Sequence, residues 1–203
     1  NIKNGVSPRR IGFSINNEFL QAVKDDDSWR LIDPKTKTAI KTVQARDLWW
    51  QLIHTRAETG EPYIVNLDRC NEDMPKPQKD MGLKIRQSNL CSEITLPTDE
   101  ERTAVCCLSS VNLEYFDEWK DDPNFIPDLI TMLDNIIQHF IDNVAVIPDS
   151  RDVPTTLSEF IKYVRPEKEF NGKAKAAYSA YRERSVGLGA MGFHSYLQRN
   201  SIP

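Results

Sequence analysis

Between Asn124 and Val146 apolar residues recur at helical spacing: Ile126, Leu129, Ile130, Leu133, Ile136, Ile137, Phe140, Ile141 and Val144. The stripe is broad, which predicts a long helix covered over much of its surface. The rest of the chain must supply that cover. Ala45 to Glu58 reads as a second helix, with Leu48, Trp49, Leu52 and Ile53 on one side and Gly60 and Pro62 ending it. Lys173 to Arg184 reads as a third, and G-L-G-A-M-G-F-H-S-Y-L-Q is expected to open another. Shorter signals lie between. Residues 1–16 predict a loop ending in the extended run I-G-F-S-I, and Glu18 to Lys24 a short helical face. W-R-L-I-D-P-K-T-K-T-A-I-K-T-V predicts a hairpin turning at Asp33-Pro34, and Y-I-V-N-L-D a buried strand. Residues 71–82 and 148–172 are polar, carry prolines and predict loops. Two further short runs, 83–94 and 102–113, flank T-L-P-T-D-E-E, and the second has good strand content. Strands alternating with helices argue for α/β architecture.

Composition sets outer bounds. The chain has 203 residues, 39% apolar and 28% charged, with a formal net charge of -4. These are ordinary values for one soluble domain or a large part of one. No basic patch is implied, so nucleic acid is not an expected direct partner. No apolar run reaches the roughly 20 residues that span a bilayer. The chain starts at Asn1 rather than Met and stops at Y-L-Q-R-N-S-I-P, so both ends are expected to be cuts through a longer chain. The four cysteines, Cys70, Cys91, Cys106 and Cys107, form no CxxC, and no His pair has ligand spacing. A metal site is therefore not expected, and a reducing, cytoplasmic setting is.

Asn89, Cys91 and Glu93 are two residues apart. On an extended backbone, side chains at i, i+2 and i+4 share a face. That predicts an amide, a thiol and a carboxylate in one pocket, with Leu90 and Ile94 pointing away. The set joins hydrogen bonding, a reactive sulfur and a possible general base. By spacing alone, a buried cysteine beside polar surface residues is the favoured reading. Cys106 and Cys107 are adjacent, and in a strand they must face opposite sides. Ala104, Cys106, Leu108 and Ser110 share one face; Val105, Cys107, Ser109 and Val111 share the other. At most one of the two serves a given pocket, and the other is expected to be a small buried hydrophobe, as is Cys70.

Several motifs together are more specific. S-N-L-C-S-E-I at 88–94, A-V-C-C-L-S-S-V-N-L at 104–113 and R-S-V-G-L-G-A-M-G-F-H-S-Y-L-Q at 184–198 occur in one order, with W-R-L-I-D-P at 29–34 and E-T-G-E-P-Y at 58–63 before them. This series resembles the large, catalytic subunit of ribonucleotide reductases over nearly the whole chain. The wording at 88–113 is closest to the aerobic class I type of phages and bacteria. The resemblance implies that residues 1–203 are part of one catalytic domain, a ten-stranded α/β barrel with the radical cysteine on an interior finger loop.

It also implies roles. Cys91 would become a thiyl radical and take hydrogen from C3′ of a ribonucleotide. Glu93 would act as base on the 3′-hydroxyl, and Asn89 would hold the substrate hydroxyls. Ser88, Asn89, Leu90, Cys91 and Glu93 would line the substrate. Cys106 would be one of the two cysteines that reduce C2′ and end as a disulfide; no cysteine precedes Cys70 to match the other. The implied partners are a ribonucleotide, most simply a diphosphate, the remaining parts of the large subunit, a small radical-generating subunit with a metal-based radical, and thioredoxin or glutaredoxin. ATP and deoxynucleotide effectors would bind elsewhere, and no cofactor would sit in this segment. The chain alone is expected to be inactive.

Three rivals stand beside this reading. A glycyl-radical-type enzyme should not share C-C-L-S-S-V-N-L. A cobalamin-dependent reductase would share the catalytic motifs. A non-catalytic interaction fragment would dock through the helix at 124–146 and keep its cysteines inert. His54 and His139 lie among apolar helical neighbours and read as packing or surface residues; His194 carries no assigned role. Tyr178 and Tyr181 lie three apart on a helix, a spacing that suits packing better than radical transfer.

Overall fold

The computed structural model describes residues 12–148, 153–166 and 172–203. The loop expected over 1–11 and part of the polar loop expected over 148–172 lie outside the described residues. The chain divides into two compact units, Asn1–Pro97 and Thr98–Pro203. The described residues hold three two-stranded sheets and no closed barrel.

In the first unit, β1 (Gly12–Ile15) lies parallel to β4 (Tyr63–Asn66). Between them come α1 (Asn17–Asp25), the antiparallel hairpin β2 (Ser28–Ile32) and β3 (Ala39–Gln44), and α2 (Ala45–Thr59). Local chemistry accounts for the boundaries. Asn16 caps α1 by accepting the Phe19 N–H at 2.8 Å. Asp33 holds the hairpin turn by accepting the N–H groups of Lys35 and Thr36 at 2.7 and 2.8 Å, and these bonds hold its carboxyl below the usual carboxylate range. Gly60, with φ of 75°, closes α2. Phe19 packs edge-on against Trp29 and Trp49 at 5.2 and 6.3 Å between ring centroids. Two short helices, α3 (Leu67–Glu72) and α4 (Lys76–Asp80), follow β4 where a strand end and a loop were expected. Asn66 explains the first, because its side chain caps the Arg69 N–H and converts strand to helix within one residue.

In the second unit, β5 (Cys107–Asn112) and β6 (Val186–Met191) run parallel, with Cys107 opposite Val186 and Asn112 opposite Met191. A 3-10 turn at Leu113–Tyr115 and α5 (Phe116–Trp119) lead to α6 (Phe125–Val144), then α7 (Leu157–Ile161) and α8 (Lys173–Glu183). A last helix, α9 (Phe193–Arg199), follows β6. The core sits where α6 and α8 meet: Ile137, Ile141 and Ala180 form one cluster with Cys107 and Val186 against it, and Val144, Phe160, Ala177 and Tyr178 form another. The expected broad cover of α6 holds for one side only. Leu133, Ile137, Ile141 and Val144 are buried, whereas Ile126, Ile130, Met132 and Ile136 are exposed.

The helix expected to open over residues 187–198 is corrected at its start, where Val186–Met191 forms a strand. Gly187 and Gly189 weaken a helix over V-G-L-G-A-M, and pairing with β5 gives each of its six residues a ladder partner. The helix begins only after Gly192, whose φ of 75° turns the chain. Likewise α7 arises inside the expected polar loop. Thr156 and Glu159 form a capping box there. No helix of the described residues is long and apolar enough to cross a membrane.

Candidate active site

The loop that carries Cys91 is tied down from behind. Asn71, on α3, treats Ile85 as a strand neighbour would: its Oδ1 accepts the Ile85 N–H and its Nδ2 donates to the Ile85 carbonyl, each at 2.9 Å. Ile85 is buried. From that anchor the chain runs out to residues 88–94 and returns to the buried Pro97.

The extended backbone expected across Asn89, Cys91 and Glu93 is corrected to a tight turn. The Ser92 N–H donates to the Asn89 carbonyl at 3.2 Å, and Ser92 has φ of 68°. The Asn89 Oδ1 accepts the Ile94 N–H at 3.0 Å. The Ser88 hydroxyl donates to the Ile94 carbonyl at 2.7 Å and lies 3.2 Å from Asn89 Oδ1. The physical reason is local: an asparagine side chain competes for nearby backbone N–H groups and closes a turn in place of a strand. Strand alternation therefore does not order these side chains. Leu90 and Cys91 occupy the apex, and Asn89, Leu90, Cys91 and Glu93 are all exposed. The geometry joins Ser88, Asn89 and Ile94. It leaves Cys91 exposed, with Glu93, also exposed, two residues on.

In the second unit the structure separates the adjacent cysteines as expected. Cys107 packs toward Ile137, Ile141 and Ala180. Cys106, immediately before β5, lies on the other face; its Sγ is 3.7 Å from the Cys107 carbonyl. A Cβ on Gly187 would sit 3.4 Å from that sulfur, and one on Gly189 would sit 2.9 Å from Ser110 Oγ. Leu108, Ser110, Gly189 and Met191 on this face are exposed. Cys106 thus borders an open, glycine-floored sheet surface.

Sequence reading missed the groups that hold β5. The Arg102 guanidinium donates to Glu183 Oε1 at 2.8 Å, with both side chains only 6% exposed. It also lies 5.5 Å from the centre of the Tyr178 ring. Ser179 Oγ accepts the Thr103 N–H at 2.9 Å. Burial pushes the Glu183 carboxyl up, against the pull of Arg102. Nothing in the sequence links residues so far apart. No cluster of His, Cys, Asp and Glu side chains able to hold a metal ion occurs among the described residues.

The described residues thus place an exposed thiol on a turn in the first unit, and a half-buried thiol beside a parallel two-stranded sheet in the second. A family model described as the ribonucleotide reductase barrel domain matches residues 5–203. The chain belongs to that family. It is 48% identical to the ribonucleoside-diphosphate reductase large subunit of Invertebrate iridescent virus 3, over 95% of this chain and 26% of that protein. It is 44% identical to a putative ribonucleoside-diphosphate reductase large subunit of Frog virus 3, over 95% of this chain and 30% of that one. Among solved structures, the class Id ribonucleotide reductase alpha subunit of Actinobacillus ureae superposes with a TM-score of 0.66 at 34% identity, covering 95% of this chain and 30% of that chain. The chain therefore spans between a quarter and a third of the length of these relatives.

Proposed function

We propose that this chain forms the radical-bearing part of a ribonucleoside-diphosphate reductase, both units belonging to one catalytic barrel domain that acts in the cytoplasm. The observation that carries the reading is the exposed Cys91 at the apex of a turn built by Ser88 and Asn89, within a chain that matches the reductase barrel over residues 5–203. A thiyl radical suits this chemistry because S–H and ribose C–H bonds are of similar strength. Cys91 takes the hydrogen from C3′ and later returns it. Glu93 accepts the 3′-hydroxyl proton, which eases departure of the 2′-hydroxyl as water. Asn89 orients the hydroxyls through its amide, and the turn fixes the sulfur in the position that hydrogen transfer requires. Reduction at C2′ consumes two thiols, Cys106 and one other, which finish as a disulfide; thioredoxin or glutaredoxin returns them to thiols. A small metal-bearing subunit supplies the oxidising equivalent that makes Cys91 a radical. The class Id assignment of the similar Actinobacillus ureae subunit supports the two-subunit, class I version of this scheme.

The test is Cys91→Ser in the assembled enzyme. Deoxyribonucleotide formation should vanish while nucleotide binding, measured by equilibrium dialysis, stays within about threefold. Retained turnover in this variant would sink the assignment.

A further inference from the structure

The turn at 88–94 is closed by side chains rather than by a backbone ladder. The Ile94 N–H donates to Asn89 Oδ1 at 3.0 Å, and the Ile94 carbonyl accepts the Ser88 hydroxyl at 2.7 Å. Two neighbouring side chains thus take both backbone groups of one residue. This clasp decides which end of the Asn89 amide a ligand meets. A backbone N–H can only donate, so the amide atom facing Ile94 is the oxygen. The Asn89 amide nitrogen makes no hydrogen bond among the described residues, and Asn89 is exposed. Its N–H groups are left to donate to a ligand oxygen. The Ser88 hydroxyl has a single proton, and the short bond to the Ile94 carbonyl uses it. Ser88 is also half-buried, whereas Asn89, Leu90, Cys91 and Glu93 are exposed.

We propose that Ser88 is a positioning residue for the reduction: by pinning Ile94 through its carbonyl, it keeps the Ile94 N–H on Asn89 Oδ1 and so presents the Asn89 amide nitrogen, not the oxygen, to the substrate. The terminal torsion of an asparagine is soft and roughly two-fold. Without the Ser88 hydroxyl, Ile94 is released on its carbonyl side and the Asn89 amide is freer to turn over. The two orientations bind a ribose hydroxyl in opposite senses. With the nitrogen outward, the hydroxyl oxygen accepts from Asn89 and its own proton stays available to Glu93. With the oxygen outward, the hydroxyl donates to Asn89, and that bond holds the proton that Glu93 has to accept. Both orientations make one hydrogen bond, so binding survives the reversal while the proton transfer does not. Ser88 touches no reacting atom and acts through Asn89. The inference deepens the reductase reading and rests on it for the role of Asn89.

Two readouts separate this role from a ligand contact and from plain stabilisation. In the assembled enzyme, Ser88→Ala should lower kcat by about tenfold and leave KM for the ribonucleoside diphosphate within about twofold. In the full chain, isotopically labelled at isoleucine, exchange of the Ile94 N–H with water, followed by NMR, should speed up about fivefold in the same variant. Ser88→Thr keeps the hydroxyl and should return both quantities to within about twofold of the parent. A KM that rises while kcat is kept would make Ser88 a ligand contact and overturns the proposal. Unchanged Ile94 exchange, or faster exchange with kcat unchanged, overturns it as well, because the clasp would then be absent or without effect on the reaction. So does a Thr variant that behaves as the Ala variant, since the hydroxyl would not be the acting group. The exchange measurement needs no turnover, so it stands apart from the activity of Cys91→Ser, on which the reductase reading itself depends.

Discussion

Asn71 supports the Cys91 loop from a position that carries no chemistry of its own. Its amide satisfies both backbone groups of Ile85, a residue only 4% exposed. Truncating it to Ala leaves a buried N–H and a buried carbonyl unpaired, at roughly 1–3 kcal/mol. The expected result is a lower urea midpoint together with faster alkylation of Cys91, since the loop loses its anchor. Asn89 is a sharper probe. Asn89→Asp keeps an oxygen for the Ile94 N–H and removes the amide donor, whereas Asn89→Ala removes both. The Asp variant should therefore keep the parent rate of Cys91 alkylation in the free chain and lose nucleotide reduction in the assembled enzyme; the Ala variant should change both. The spacing of Asn89, Cys91 and Glu93 was legible in the sequence, but their geometry was not. Strand alternation assumes that side chains leave the backbone alone, and Asn89 does not.

Elements with local signals could be read directly. The β2–β3 hairpin follows from Asp33, α2 ends at Gly60, and the spacing of α6 predicted a helix within a residue or two of its ends. Elements that depend on distant partners could not. β6 looked like a helix start because only its pairing with β5 makes it a strand. The short helix α7 was hidden in a polar stretch, although its Thr156 and Glu159 form a capping box at the expected spacing. Thr156→Ala should cost about 1 kcal/mol in chemical denaturation. The box is also pH-sensitive. Bonds from the Thr155 N–H and hydroxyl, and from the Thr156 N–H, hold the Glu159 carboxyl below its ordinary 4.5. A depressed carboxylate stabilises the fold above its unfolded-state value and loses that contribution as pH falls through the folded one. Glu159→Gln should therefore flatten the acid limb of the stability curve. Packing governs the long helix instead. Ile137, 2% exposed, lies under Cys107 and Ala180, so Ile137→Ala should cost about 2–5 kcal/mol.

At the scale of the whole molecule the decisive quantity is the number of thiols that can serve one substrate. In the proposed reaction, reduction at C2′ needs two electrons from two sulfurs that close to a disulfide. Adjacent cysteines in a strand cannot both do this from one face, and the structure sends Cys107 into the packing of α6 and α8 while Cys106 borders the open surface. Cys70 belongs to α3, in the first unit. The face that carries Cys106 has no second sulfhydryl from β5 or β6. The relatives are three to four times as long as the matched segment, since the chain covers 26% and 30% of the two viral subunits. The 203-residue chain alone is therefore expected to give no deoxyribonucleotide from any ribonucleoside diphosphate, even with a dithiol reductant and a radical-generating subunit present. Supplying the remaining large-subunit segments should restore turnover, and that restored activity should be lost again in Cys106→Ser. A chromatographic assay of product separates the cases. Turnover by the isolated chain would mean that Cys106 finds its disulfide partner among the other three cysteines, and the opposed faces around β5 make Cys107 the least suited of them.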